Sequence, residues 1–134
     1  GAATTNAPDL CEARRVASFL HTRTTNDPTA VGARTAIEMA TIGGARALGM
    51  DRRIGSIEPG KRADVLVVSM SSARQTPMYD PISHLVYTTR GDDVQVTIVN
   101  GRVLMRGRKV LTLDEQAVLK EARLLSEKVR LAVK

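Results

Sequence analysis

The chain has no tryptophan, one phenylalanine and two tyrosines among its 134 residues. Little is therefore available for stacking on nucleic-acid bases. It has a single cysteine, Cys11, which excludes an internal disulfide and reads most simply as a small apolar side chain on a helix. Its two histidines, His21 and His84, stand alone, without the HxH, HExxH or CxxC spacings that gather metal ligands. There is no GxSxG elbow and no phosphate loop of the Walker type. No apolar run approaches 18 residues, so no membrane-spanning helix is expected. The opening GAATTNAPDL has no basic segment followed by an apolar one, so no leader peptide is read there and the expected location is cytoplasmic. The length suits one modest domain and falls short of the roughly 250 residues of a (β/α)8 barrel.

What the chain has in excess is positive charge, a formal +6, and it is unevenly placed. Residues 1–100 hold 11 Lys and Arg against 10 Asp and Glu, whereas residues 101–134 hold 9 against 4. A basic tail raises the possibility of nucleic-acid binding, but with so few aromatics a solvated helix and hairpin surface is the better reading.

Local patterns divide the chain in two. A first helix is expected from Asn6-Ala7-Pro8-Asp9, with Asn6 as cap and Asp9 in the positively polarised first turn. Leu10, Ala13, Ala17 and Leu20 recur at helical spacing. A second helix is expected from about Thr29 to Thr41, broken at Gly43-Gly44 before a helical turn that Gly49 closes in the left-handed region. From Ile54 the pattern becomes strands and turns. Glu58-Pro59-Gly60-Lys61 predicts a type II turn, Ala63 to Met70 a buried strand, and Ile82 to Tyr87 a short helix. Asn100-Gly101 between two apolar runs predicts a two-residue hairpin, pairing Ile98 with Val103 and Val96 with Met105. Thr112-Leu113-Asp114-Glu115 looks like a capping box opening a last helix, whose apolar face is Val118, Ala122, Leu125, Val129 and Ala132. Asp92-Asp93 beside Gly91 is read as a turn.

Residues 39–70, MATIGGARALGMDRRIGSIEPGKRADVLVVSM, resemble a segment of the metal-dependent amidohydrolases, in the group of cytosine deaminase, 5-methylthioadenosine/S-adenosylhomocysteine deaminase and triazine chlorohydrolase. That pattern runs T-x-N-G-A-R-A-L-G, then I-G-S-L-E-x-G-K-x-A-D-L-V. Thr41, Gly44, Ala45, Ala47, Leu48, Gly49, Ile54, Gly55, Ser56, Glu58, Gly60, Lys61, Ala63 and Asp64 match it, while Gly43 departs from the usual asparagine. Tyr79 to Tyr87 resembles the family's Y-D-P-x-S-x-L-V-Y, and Val96 to Arg102 its strand ending in V-N-G. The first residues resemble those that follow the family's G-T-D motif, in which the aspartate is a metal ligand.

The resemblance implies an α+β fold: the last helices of an amidohydrolase barrel (residues 1–50), the C-terminal strands of a composite β-sandwich (51–111) and a closing helix (112–134). It implies a C-terminal portion of a hydrolase that deaminates or dechlorinates a purine, pyrimidine or triazine-like ring. A bound metal activates water for attack on the ring carbon in such enzymes. The metal ligands and the acid/base residue are expected upstream of Gly1, so no catalytic or metal role falls on this chain, which alone is expected to be inactive. Zinc or iron is implied for the complete enzyme and none for this chain. Ala2, Ala3, Thr4, Thr5 and Asn6 are the residues expected beside the substrate. The expected partner is either the missing N-terminal part of the enzyme or further copies of the chain, through the residue 63–110 sheet. A self-assembling module derived from the fold, or least of all a basic nucleic-acid binder, are the alternatives.

Overall fold

The computed structural model describes residues 9–25 and 31–133, apart from the side chains of residues 21–25. Ala2, Ala3, Thr4, Thr5 and Asn6, and the expected cap at Asn6, lie outside the described residues. Helix α1 spans Leu10–Thr25. Asp9, expected inside the first turn, instead caps it: its carboxylate accepts the Cys11 N–H at 2.8 Å and the Glu12 N–H at 3.4 Å. An aspartate there satisfies free amide groups and meets the positive end of the helix dipole.

Helix α2 spans Ala33–Glu38, and the chain then runs through a π turn, Met39–Gly43, into α3, Gly44–Ala47. The expected break at Gly43-Gly44 does not occur. Both glycines keep helical angles, with φ/ψ of −63/−46° and −60/−41°. Widening the helix by one residue brings the Glu38 carbonyl oxygen to 2.9 Å from where a Cβ on Gly43 would sit, so the glycine accommodates the π turn. Thr41 adds a hydroxyl bond back to the Ile37 carbonyl at 2.7 Å. Gly49 does close the segment, at φ +64°.

The sheet is antiparallel in the order β1-β2-β3-β4, comprising Val65–Val68, Val94–Val99, Arg102–Arg106 and Lys109–Val110. Asn100 at φ 51° and Gly101 at φ 77° form the expected turn, and Ile98 faces Val103. Beyond that pair the register departs from a simple outward count. A bulge places Thr97 opposite Met105 and Val96 opposite Arg106, so Val96 and Met105 are not partners. One extra residue on β3 increases the local twist. A second tight turn, Gly107 at φ 54° and Arg108 at φ 67°, leads into β4. Strand β1, expected to be buried, is half open: Leu66 is 57% and Val67 48% exposed. No second sheet packs on it among the described residues.

Helix α4, Pro81–Tyr87, lies between β1 and β2 in the chain. Its fully buried Val86 joins Val31 and Ala36 in a small core, flanked by Ala33, Ile37 and Tyr87. Tyr87 also stacks on Phe19 of α1, ring centroids 5.7 Å apart. Ser18 donates to the Val31 carbonyl at 2.8 Å, tying α1 to the start of the α2 segment.

Buried polar groups hold β1, α4 and β2 together. Gln75 has no exposed surface. Its amide donates to Thr89 Oγ1 at 3.1 Å, its carbonyl accepts from Ser72 Oγ at 3.0 Å, and Thr89 Oγ1 donates to the His84 carbonyl at 3.1 Å. Asp93, in a 3-10 turn Gly91–Asp93, pairs with Arg74 at 2.5 Å and accepts the Arg90 N–H at 2.9 Å. Its own carbonyl takes the Ser69 N–H at 2.9 Å. The last helix, α5, spans Glu115–Ala132. Asp114, not Thr112, caps it, accepting from Gln116 and Ala117 N–H at 3.0 and 3.1 Å. All of its residues are exposed.

Two predictions follow from these contacts. A Cβ on Gly101 would meet nothing within 4 Å, so Gly101→Val tests backbone strain alone. It is expected to cost about 1–3 kcal/mol, read as a fall in the urea midpoint, and an unchanged midpoint would refute the turn. The second concerns Asp93. Burial pushes its carboxyl up, but the Arg74 guanidinium and the Arg90 N–H outweigh burial and hold it below the usual carboxylate value. A lowered folded value means that this stabilisation is present above the ordinary pKa of about 3.9 and is lost as pH falls through the folded value. Asp93→Asn should therefore lower stability at pH 7 and flatten its decline on acidification, and an equal slope in both proteins would contradict this.

Candidate functional site

The segment that carries the family resemblance forms a joint between the helices and the sheet. After Gly49, the backbone loops back so that Gly55, at φ +93°, lies directly on the helical layer. A Cβ there would stand 2.7 Å from the Ala45 Cβ and 3.0 Å from the Ile42 Cα. Ala45 is 3% exposed under this contact. Ser56 then donates to Glu58 at 2.5 Å and accepts from Lys61 Nζ at 2.6 Å, with Lys61 and Glu58 3.4 Å apart. The Ser56 hydroxyl, followed by Lys61, holds the Glu58 carboxyl below its ordinary value. Gly60 at φ +87° and the Lys61 N–H to Glu58 carbonyl bond of 3.1 Å complete the expected turn.

Three residues beyond Lys61, Asp64 Oδ1 accepts the Asn100 N–H at 2.6 Å, and the Ala63 carbonyl accepts the Gly101 N–H at 3.0 Å. Asp64 thus clasps the hairpin turn. In the second resembling segment Asp80 caps α4, accepting from Ile82 and Ser83 N–H at 3.1 Å each and from Ser83 Oγ at 2.5 Å. The Ser83 hydroxyl is the main cause of its lowered pKa. In that segment the Leu85 carbonyl accepts from Arg14 Nη2.

A groove of about 560 Å³ opens between α1, the π turn, the Ile54–Ile57 loop and β1. Its walls are mainly apolar, including Ile37, Ala40, Ile54, Leu66, Val68 and Val94, with Arg14 and Cys11 at one side. Arg14 Nε is buried there without a hydrogen bond. Burial raises the Cys11 pKa, with Arg14 opposing it, so the thiol stays protonated at neutral pH and is a poor nucleophile. A smaller depression of about 190 Å³ lies among Asp9, Glu12, Arg15, Thr89 and Arg90. The Gly91 N–H donates to Asp9 at 3.4 Å, fixing the start of α1 against the 3-10 turn.

Among the described residues, no three His, Cys, Asp or Glu side chains come together as a metal site. The donors among the described residues do not make up a catalytic zinc or iron site, which needs three protein ligands and an open position. His84 Nδ1 is buried without a hydrogen bond, and the His21 side chain lies outside the described residues. Ala2, Ala3, Thr4, Thr5 and Asn6, expected beside the substrate, also lie outside the described residues. Sequence reasoning missed Arg14 as an anchor and Gln75 as a buried hub, the latter lying in a stretch with no periodicity to flag it.

Comparison with known proteins agrees with this architecture. The profile of the amidohydrolase family matches residues 1–104. A 5'-deoxyadenosine deaminase of Methanosarcina acetivorans is 46% identical over 129 residues, 96% of this chain and 29% of the relative. A 5-methylthioadenosine/S-adenosylhomocysteine deaminase of Syntrophomonas wolfei is 40% identical over 96% of this chain and 30% of its own length. Among solved structures, an adenosine deaminase from Xanthomonas campestris with bound zinc superposes with a TM-score of 0.93 at 35% identity, covering 98% of this chain and 30% of that one. An atrazine chlorohydrolase from Arthrobacter aurescens, complexed with zinc, gives 0.83 at 27% identity, over 93% and 28%. The chain thus spans under a third of the length of these relatives, and with its joint, its hairpin and its sheet it belongs to the amidohydrolase family.

Proposed function

We propose that this chain is the C-terminal portion of a metal-dependent hydrolytic deaminase that acts, when complete, on the amino group of an adenosine-type ring. The observation that carries the reading is the higher identity to an adenosine deaminase than to a triazine chlorohydrolase over nearly the same span, 35% against 27%. The names of the relatives from Methanosarcina acetivorans and Syntrophomonas wolfei point the same way. In this reading the metal ligands and the acid/base residue belong to the upstream part, which also covers the apolar groove, the exposed Leu66 and Val67 and the free edge of β1. An uncovered strand edge with apolar side chains otherwise invites association. The contribution of this chain is to fix the helical layer to the sheet, with the start of α1 at Asp9 held against the Gly91 turn. The cytoplasm is the location proposed for the complete enzyme.

A chimera tests this directly. The upstream part of the Methanosarcina acetivorans enzyme, joined to this chain in place of its own matching segment, is expected to bind metal. It should release ammonia from 5'-deoxyadenosine within about tenfold of the parent rate, a loss of no more than about 1.4 kcal/mol. The chain alone should bind no stoichiometric zinc or iron and release no ammonia. A folded chimera without activity would contradict the proposal. So would one tightly bound metal equivalent on the chain alone, for which His21, His84 and Cys11 would be the ligands to examine.

A further inference from the structure

Arg14 is a cation set in an apolar wall, with its charge unanswered. From the second turn of α1 it lines both the groove of about 560 Å³ and a shallower hollow bounded by Leu10, Ala17, Val31 and Met39. Its Nη2 donates to the Leu85 carbonyl, a neutral acceptor, and its Nε is buried without any acceptor. The ion pairs among the described residues are made by Arg15, Lys61 and Arg74, and none by Arg14. The other titratable side chains in the lining of the larger groove are Cys11 and Asp64. Burial raises the Cys11 pKa, so that thiol brings no negative charge at neutral pH. Asp64 is engaged by the Asn100 N–H at 2.6 Å.

This arrangement is tolerable only while water reaches the guanidinium. An arginine side chain does not escape burial by losing its proton. Once protein closes over the groove, the charge is desolvated, and one neutral carbonyl does not offset that cost. The chain spans under a third of the length of its relatives, and the reading above has the upstream part of the enzyme closing this groove.

Resting on that reading, we propose that the upstream part sets an aspartate or glutamate side chain on Arg14, as the ion pair that locks the two parts together across an otherwise apolar contact. The Leu85 carbonyl occupies one of the five N–H groups of the guanidinium. It fixes the orientation of the fork and leaves N–H groups that a carboxylate takes two at a time. A second copy of this chain is the poorer occupant, because its own formal charge is +6 and like charge opposes it.

The complete enzyme, expressed from the full-length gene, provides the test. Its crystal structure should show a carboxylate oxygen from a residue upstream of Gly1 within about 4 Å of the Arg14 guanidinium. Arg14→Gln in the same enzyme should raise the unfolding equilibrium constant at neutral pH by about a hundredfold or more, because it strands a buried carboxylate. Lost packing, or the lost bond to Leu85, costs the same at every pH. A stranded carboxylate does not: burial raises its pKa, and protonation relieves it. The gap between the urea midpoints of the two proteins should therefore narrow as pH falls from about 7 to about 5. A gap that stays constant with pH would overturn the proposal. So would a structure in which Arg14 meets only carbonyls or water, or in which a second copy fills the groove. Ammonia release by the chimera is read separately, so an active chimera leaves the deaminase reading standing when the ion pair fails, and an inactive one does not touch the ion pair.

Discussion

The rest of the structure hangs on the closeness with which the backbone at Gly55 approaches Ala45 and Ile42. At that point there is room for a hydrogen and not for a methyl group. The helical layer on one side has its own small core around Val86, and the sheet on the other is half open. The loop between them is held shut by several short-range bonds: the Arg62 N–H to the Arg53 carbonyl at 2.8 Å, the Ser56–Glu58–Lys61 group, and Asp64 on the hairpin. Each is modest alone, about 1 kcal/mol net for an ordinary hydrogen bond. Together they convert one tight packing contact into a fixed relation between α3 and the β2–β3 turn.

This gives the family signature a physical meaning. Glycine, serine, glutamate, lysine and aspartate in one short segment invite a catalytic reading, since those residue types often carry chemistry. Here Ser56, Glu58 and Lys61 satisfy one another, and Asp64 is occupied by a backbone amide. Asp80 in the second segment is spent on a helix cap, and Asp93 on Arg74. The polar residues of the chain are thus largely used for positioning, in keeping with the proposal that the reaction is carried by the upstream part of the enzyme.

Much of this was legible in the sequence, and the limits were physical. Asn100-Gly101 identified the hairpin because positive φ at two successive positions restricts the choice of residue. It could not reveal the bulge that moves Val96 from Met105 to Arg106, because a bulge depends on the twist of the whole ribbon. Gly43-Gly44 read as a break on intrinsic propensity, yet the helix runs through them because a π turn needs the missing Cβ. Helix caps were displaced to the nearest aspartate, Asp9 and Asp114, because a carboxylate bonds two amides at once. Leu66 and Val67 looked buried because apolar β-branched runs normally are, while in this chain both are about half exposed, one on each side of an edge strand that no second sheet covers among the described residues. The groove was not legible, since its lining is drawn from segments far apart in the chain, from Cys11 to Val94. The residues expected beside the substrate, Ala2 to Asn6, lie outside the described residues.

The central claim is that the signature segment is a joint, closed by contact between Gly55 and Ala45. A double-mutant cycle on urea denaturation tests it most directly. Gly55→Ala alone is expected to cost on the order of 2–4 kcal/mol, from the collision and from positive φ together. Ala45→Gly alone should cost about 1 kcal/mol through helix propensity. Combining them removes the colliding methyl, so the double variant should be more stable than the sum of the two losses by about 0.5–3 kcal/mol. Strictly additive losses, or a Gly55→Ala protein as stable as the original, would contradict the account.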